Sequence, residues 1–155
     1  MSEMDRIRDQ LKRAFHGEAW HGPSLREVLD GVTAAQASSR RSHGHSIREI
    51  VRHISAWTDI CCQRLADHRV PDATPEADWP PVAHHHGEID EAGWKKDLES
   101  LFATEERLQE HLRSFPEFSL DASVPGRNHS FYVMLHGAVQ HCLYHAGQIA
   151  VLKKA

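Results

Sequence analysis

His141 and His145 stand four residues apart in the stretch His141-Cys142-Leu143-Tyr144-His145-Ala146-Gly147-Gln148-Ile149. On an α-helix that spacing puts both imidazoles on one face, one turn apart. Imidazole is a common nitrogen ligand of zinc, nickel and iron, so such a pair can fill two corners of one coordination sphere. In a chain with 14 histidines some pair at this spacing arises by chance. A third ligand on another helix is needed before the pair makes a site. His53 is the candidate, because it lies at the edge of its own helix's apolar stripe, as His141 and His145 lie at the edge of theirs. A histidine at such an edge is also commonly half-exposed and inert.

Other residues could support or enclose such a site. Gln148, one turn past His145, can orient a ligand or a bound water, or make an interhelical hydrogen bond. Glu105 interrupts an apolar seam, and a carboxylate there is costly unless it is paired or binds something. It can hold a ligand imidazole from behind, pair with an arginine or reach solvent. Trp57 lies one turn from His53 on the same side of its helix. Trp20 and His21 sit in a Gly/Pro-rich elbow, where they can line a pocket or simply pack the elbow. His136 is excluded, because it falls about 140° around the helix from His141. The run His84-His85-His86 is expected to bind metal only adventitiously, since three consecutive residues converge poorly on one ion. Cys61, Cys62 and Cys142 make no CxxC motif and no disulfide framework. Cys61 and Cys142 fall on apolar faces as small core residues, which suits a reducing compartment.

The elements that must position these groups are legible from periodicity. Ile7, Leu11, Ala14 and Phe15 share one helical face from residue 3 to about 16. Gly17 and His21-Gly22-Pro23 break that helix, the capping box Ser24-Leu25-Arg26-Glu27 restarts it, and Asp30-Gly31 ends it. A polar loop follows, from about Thr33 to His45. A second box, Ser46-Ile47-Arg48-Glu49, opens a helix to about His68 with Ile47, Ile50, Val51, Ile54, Trp57, Cys61 and Leu65 as its core stripe. The proline-rich stretch 71–86 is a surface loop, in which Trp79 can anchor the loop to the rest of the chain or meet another subunit. Asp90 caps a third helix to about Arg113, with Trp94, Leu98, Leu101, Leu108 and Leu112 along an a/d seam. Phe115-Pro116 stops it, and Asn128 or Ser130 starts the last helix. No proline occurs from Phe131 to Lys154, and Lys153 and Lys154 suit a helix C-terminus. Leu135, Ala138, Val139, Cys142, Ala146 and Ile149 form its apolar stripe. Four amphipathic helices in 155 residues predict an all-α four-helix bundle, a single domain over 1–155.

Composition narrows the function classes. The net charge is −4 with neutral histidines, and no basic run with interleaved aromatics occurs, which argues against a nucleic-acid surface. No apolar stretch approaches about 20 residues, and Met1-Ser2-Glu3-Met4-Asp5 lacks a signal peptide's apolar segment. The expected location is the cytoplasm, with no membrane partner.

The segment Tyr144 to Leu152, preceded by His141, resembles the last-helix signature of the DinB-like (YfiT-like) superfamily. His45-Ser46-Ile47 through His53-Ile54-Ser55-Ala56-Trp57 is similar to its second-helix signature, and Trp20-His21-Gly22-Pro23-Ser24-Leu25 to the first-helix elbow of one branch. The three occur in order over nearly the whole chain. The resemblance implies an up-and-down four-helix bundle, often a homodimer, with a divalent metal on three histidines. Carried over position by position these are His53, His141 and His145, and zinc or nickel suits them. It also implies a metal-dependent enzyme acting on a small molecule, either a transferase using a low-molecular-weight thiol or a hydrolase. A non-catalytic metal or small-molecule binding protein linked to stress is the alternative, because the fold does not decide between them.

Overall fold

The computed structural model describes residues 1–40, 44–66, 70–82 and 89–154. Seven α-helices occur among them: α1 (Glu3–His16), α2 (Leu25–Leu29), α3 (Ala34–Ser38), α4 (Ile47–Leu65), α5 (Pro75–Asp78), α6 (Glu91–Ser114) and α7 (Phe131–Lys154), with a 3₁₀ turn at Glu117–Ser119. The four long ones are α1, α4, α6 and α7. No helix among the described residues is long and apolar enough to cross a membrane.

Local chemistry explains where the helices start. Ser2, Ser24, Thr33 and Ser46 each accept a hydrogen bond from the third residue of the helix that follows. In all four the side chain of that residue bonds back to the cap N–H. Two orphaned donors are thereby satisfied at each start, a gain on the order of 1 kcal/mol per cap. Asp90 caps α6 through Gly93 N–H, and the Ser130 hydroxyl accepts from Val133 N–H at the start of α7. The break in the first helix falls where Gly17 to Pro23 predicts it. Beyond α2, Gly31 takes φ 70°, the left-handed conformation that glycine adopts without strain. The stretch read as a polar loop from Thr33 contains the short helix α3, and the proline-rich loop contains α5, which starts at Pro75 after the Thr74 cap. These short helices have no sustained apolar period, so periodicity does not reveal them.

The long helices close a ring in which α1 packs on α6 and α7, and α4 packs on α6 and α7. Leu11, Leu101, Leu108, Leu135 and Ile149 meet inside it, each essentially fully buried. Burial of one such side chain contributes on the order of 2 kcal/mol. The order of directions is up, down, down, up. Arg8 bonds Gln109 and His16 bonds Glu105, so α1 opposes α6. Arg48 bonds Asp97 and Cys62 Sγ meets the Thr104 carbonyl, so α4 runs with α6. α4 and α6 therefore start at the same end, which replaces a simple alternation of up and down.

One buried ion cluster ties α4 to α6. Arg48 is 5 % exposed, with its Nε 2.6 Å from Asp97 and one terminal nitrogen 3.0 Å from Asp90. The two carboxylates compensate the desolvated guanidinium, and they hold the N-terminal half of α4 in register with α6.

Candidate metal centre

α4 and α7 oppose each other so that His53 faces His141 and His145. The Nε2 atoms of His53 and His141 are 2.9 Å apart, and those of His145 and His141 are 3.1 Å apart. His53 and His145 are buried and His141 is half-buried. Among the described residues these three form the one group of three or more histidine, cysteine or carboxylate side chains placed closely enough that they could hold an ion.

Neighbouring groups fix which nitrogen is free in two of the rings, His53 and His145. His53 Nδ1 lies 2.5 Å from the Asp78 backbone carbonyl, which can only accept, so Nδ1 carries the proton. His145 Nδ1 donates likewise to Gln148 Oε1 at 2.6 Å. In the neutral rings both Nε2 atoms then present lone pairs toward His141 Nε2. One proton on His141 can satisfy only one of them, whereas a cation satisfies all three at once. Three nitrogens about 2.0–2.1 Å from one tetrahedral ion stand roughly 3.3–3.4 Å apart, and the three ligand atoms here all lie within 4.8 Å of one another, so a modest rearrangement of the rings seats one. The residues present therefore fit a divalent metal.

The electrostatics agree. Burial lowers the pKa of His53 and of His145. His141 is pushed down to about 4, first by burial and then by the neighbouring His145 and His53. All three rings are neutral at pH 7, the state in which imidazole ligates.

The short helix α5 closes the site, and sequence reasoning did not place it there. Asp78 accepts from Trp57 Nε1 through Oδ1 at 2.7 Å while its backbone carbonyl holds His53. Trp79 stacks on the His53 ring, with centroids 4.0 Å apart and planes 11° apart, and it also stacks on His45 at 3.4 Å. Trp79 thus anchors its loop inside the chain. Tryptophan in a polar, proline-rich stretch was the one signal that this loop is tied down. Nothing in the sequence marks Asp78, whose critical atom is a backbone oxygen.

A cavity of about 510 Å³ opens beside the histidines between α4 and α7. Ile54, Trp57, Val133, Met134 and Ala138 give it an apolar wall, and Arg64 and His129 also line it. A Cβ at Gly137 would meet nothing within 4 Å, so the absence of a side chain there leaves the cavity open.

Of the supporting residues expected from the sequence, Trp57 lines this cavity and Gln148 orients His145 rather than bridging helices. Trp20 and His21 are exposed and do not line it; the elbow points into solvent because no element packs over it. Glu105 is also not behind a ligand imidazole. It is buried, 2.8 Å from His16 Nε2, and it accepts from Gln109 Nε2 at 2.9 Å. Its partner is thus a histidine on α1, neither an arginine nor solvent. His136 lies near Glu3, at 3.7 Å, away from the triad. The run His84 to His86 lies outside the described residues. Cys61, Cys62 and Cys142 are buried thiols. Burial raises Cys61 to about 12 and Cys62 to about 11, and it raises Cys142 further. None is a thiolate at neutral pH.

Residues 19–149 match the family model described as the DinB superfamily. No curated protein and no solved structure matches the chain.

Proposed function

The chain belongs to the DinB superfamily, and from that premise we propose that it is a divalent-metal-dependent enzyme acting on a small molecule, with a low-molecular-weight thiol as co-substrate. Hydrolysis is the second form of the same reading. One observation carries it: three neutral imidazoles converge at one end of an open, largely apolar cavity. An enzyme needs room for a substrate beside the ion, a protein that only binds a small molecule needs the same room, and turnover decides between them.

His53, His141 and His145 would hold the ion, zinc or nickel by the softness of their nitrogens. Such an ion, when bound, lowers the pKa of a thiol or a water at its open position and so supplies a nucleophile at neutral pH. The remaining work is done by the chain. Asp78 and Gln148 hold His53 and His145 in the tautomer that presents Nε2. Trp57, Ile54 and Met134 exclude water from one side and give an apolar substrate body a surface. The protein's own thiols do not serve as nucleophile, because burial keeps them protonated. In the transferase form of the proposal the thiol therefore comes from outside.

The test is a screen of metal-loaded protein for conjugation of small thiols to electrophilic carbons, run beside ester and amide hydrolysis. Cys142→Ala should keep the metal and most of the turnover, and His141→Ala should lose both. Turnover abolished by Cys142→Ala with the metal retained would replace the external thiol by a protein thiol. No turnover with any pair would favour the binding protein instead.

A homodimer belongs to the same proposal. Val133, Tyr144 and Val151 leave apolar surface exposed on α7, which a second copy would cover. Light scattering at micromolar concentration should return twice the chain mass of 17.6 kDa, and the chain mass itself would remove the dimer.

A further inference from the structure

The end of the cavity away from the histidines holds a charge with which no carboxylate among the described residues pairs. Arg64 is on the last turn of α4, eleven residues beyond His53. It is 6 % exposed, yet it lines the cavity. Its Nε is buried with no hydrogen-bond partner, and among the described residues no carboxylate pairs with its guanidinium. The other buried arginine of α4, Arg48, shows the usual arrangement, with two aspartates. A buried guanidinium without an anion is costly, and such a group persists in a cavity wall when a ligand supplies the missing charge.

The surroundings give no internal answer. Cζ of Arg64 lies 5.9 Å from the centre of the Trp57 ring, a cation–π contact at the limit of its range. Burial and the Arg127 guanidinium both disfavour the charged form of Arg64, while Cys61 and Asp72 act the other way. Arg127 itself bonds Asp72 and, at 2.8 Å, the Val70 carbonyl, so the exposed Asp72 is engaged there. His129 completes this end of the wall. At the other end the one carboxylate of the cavity, Asp78, is held by Trp57 Nε1.

We propose that Arg64 is the anion-binding subsite of this cavity, and that the ligand is a small molecule with an apolar body and a carboxylate, seated with the carboxylate on Arg64 and its opposite end toward His53, His141 and His145. The Trp57 indole is near both ends, since the His141 ring centre is 6.2 Å from it and Arg64 Cζ is 5.9 Å from it. A body of a few carbons fits between them, against Ile54, Met134 and Ala138. This deepens the enzyme reading and rests on it for the role of the histidine end, whereas the carboxylate subsite itself needs no ion.

The experiment is calorimetric titration of hexanoate, hexanamide and acetate into the full chain, metal-loaded and chelator-treated. Hexanoate should bind at least about tenfold more tightly than hexanamide, the advantage of a hydrogen bond to a charged group. Acetate should bind weakly, because it leaves the apolar wall uncovered. Arg64→Gln should abolish the preference and leave hexanamide unchanged, and Arg64→Lys should keep part of it. The preference should survive chelation. The thermal midpoint of ligand-free Arg64→Gln should equal or exceed that of the parent, because an uncompensated buried charge has gone.

Failure of hexanoate to bind, equal affinities in the parent, or a preference that persists in Arg64→Gln overturns the proposal. So does a preference lost on chelation, which puts the carboxylate on the ion. A large fall in the midpoint of Arg64→Gln overturns it too, by marking a structural role. The enzyme reading fails separately, through absence of metal in the loaded protein or of turnover, and the hexanoate preference in chelated protein is independent of both.

Discussion

His53→Ala and His145→Ala each lose the divalent ion, measured as metal per chain by mass spectrometry on protein prepared without a nickel column. Two imidazoles hold zinc or nickel poorly, so removal of either buried ring leaves an incomplete site. Gln148→Ala behaves differently. It frees His145 Nδ1 but leaves all three ligands, so affinity falls by about 10–100-fold while the stoichiometry at saturating metal is retained. His136→Ala changes nothing, as its ring lies near Glu3. Substituting His84 to His86 removes weak extra binding only. Full metal content in both His53→Ala and His145→Ala contradicts the assignment.

Removal of the metal lowers the thermal midpoint by about 10 °C. At free metal about 1,000 times above its dissociation constant, linkage adds about 4 kcal/mol to the folded state, and each kcal/mol moves the midpoint of a domain this size by about 2–4 °C. The three Nε2 lone pairs meeting within 2.9 and 3.1 Å add to the effect, because the metal-free protein must separate them or protonate one. Differential scanning calorimetry with and without chelator measures it. The shift should vanish in His53→Ala, whose buried α4 position then holds no ligand. An equal shift in parent and His53→Ala would place the stabilising ion elsewhere.

The sequence carried the histidine pair, His53 as the third member of the cluster and the four long helices because each of these is a local signal. An i,i+4 spacing, an apolar stripe and a Ser-x-x-Glu box are all readable within one helix. The supporting groups were legible only where they stood on the same helix, as Gln148 does with His145. Asp78 acts through its backbone carbonyl, which no residue pattern encodes. Glu105 looked like a support for the metal because a buried carboxylate needs a partner. The partner is His16, 89 residues away, and only the packing of α1 on α6 shows it. Trp20 and His21 fail for the converse reason: an elbow rich in glycine and proline announces a turn, but the side on which its aromatics lie depends on what packs against it. Arg64 lies within a helix whose neighbouring positions Cys61 and Leu65 are core, and nothing local separates a buried arginine from one that reaches solvent. The α3 and α5 helices were missed because four or five residues contain little more than one turn of periodicity.

Anomalous diffraction from a crystal of the zinc- or nickel-loaded chain, grown at neutral pH so that the ligands stay deprotonated, tests the central claim most directly. The expected result is one strong peak between α4 and α7, about 2.0–2.2 Å from Nε2 of each of His53, His141 and His145. A principal peak that excludes any of the three, or that takes Cys142 Sγ or His136 into its coordination sphere, contradicts the account.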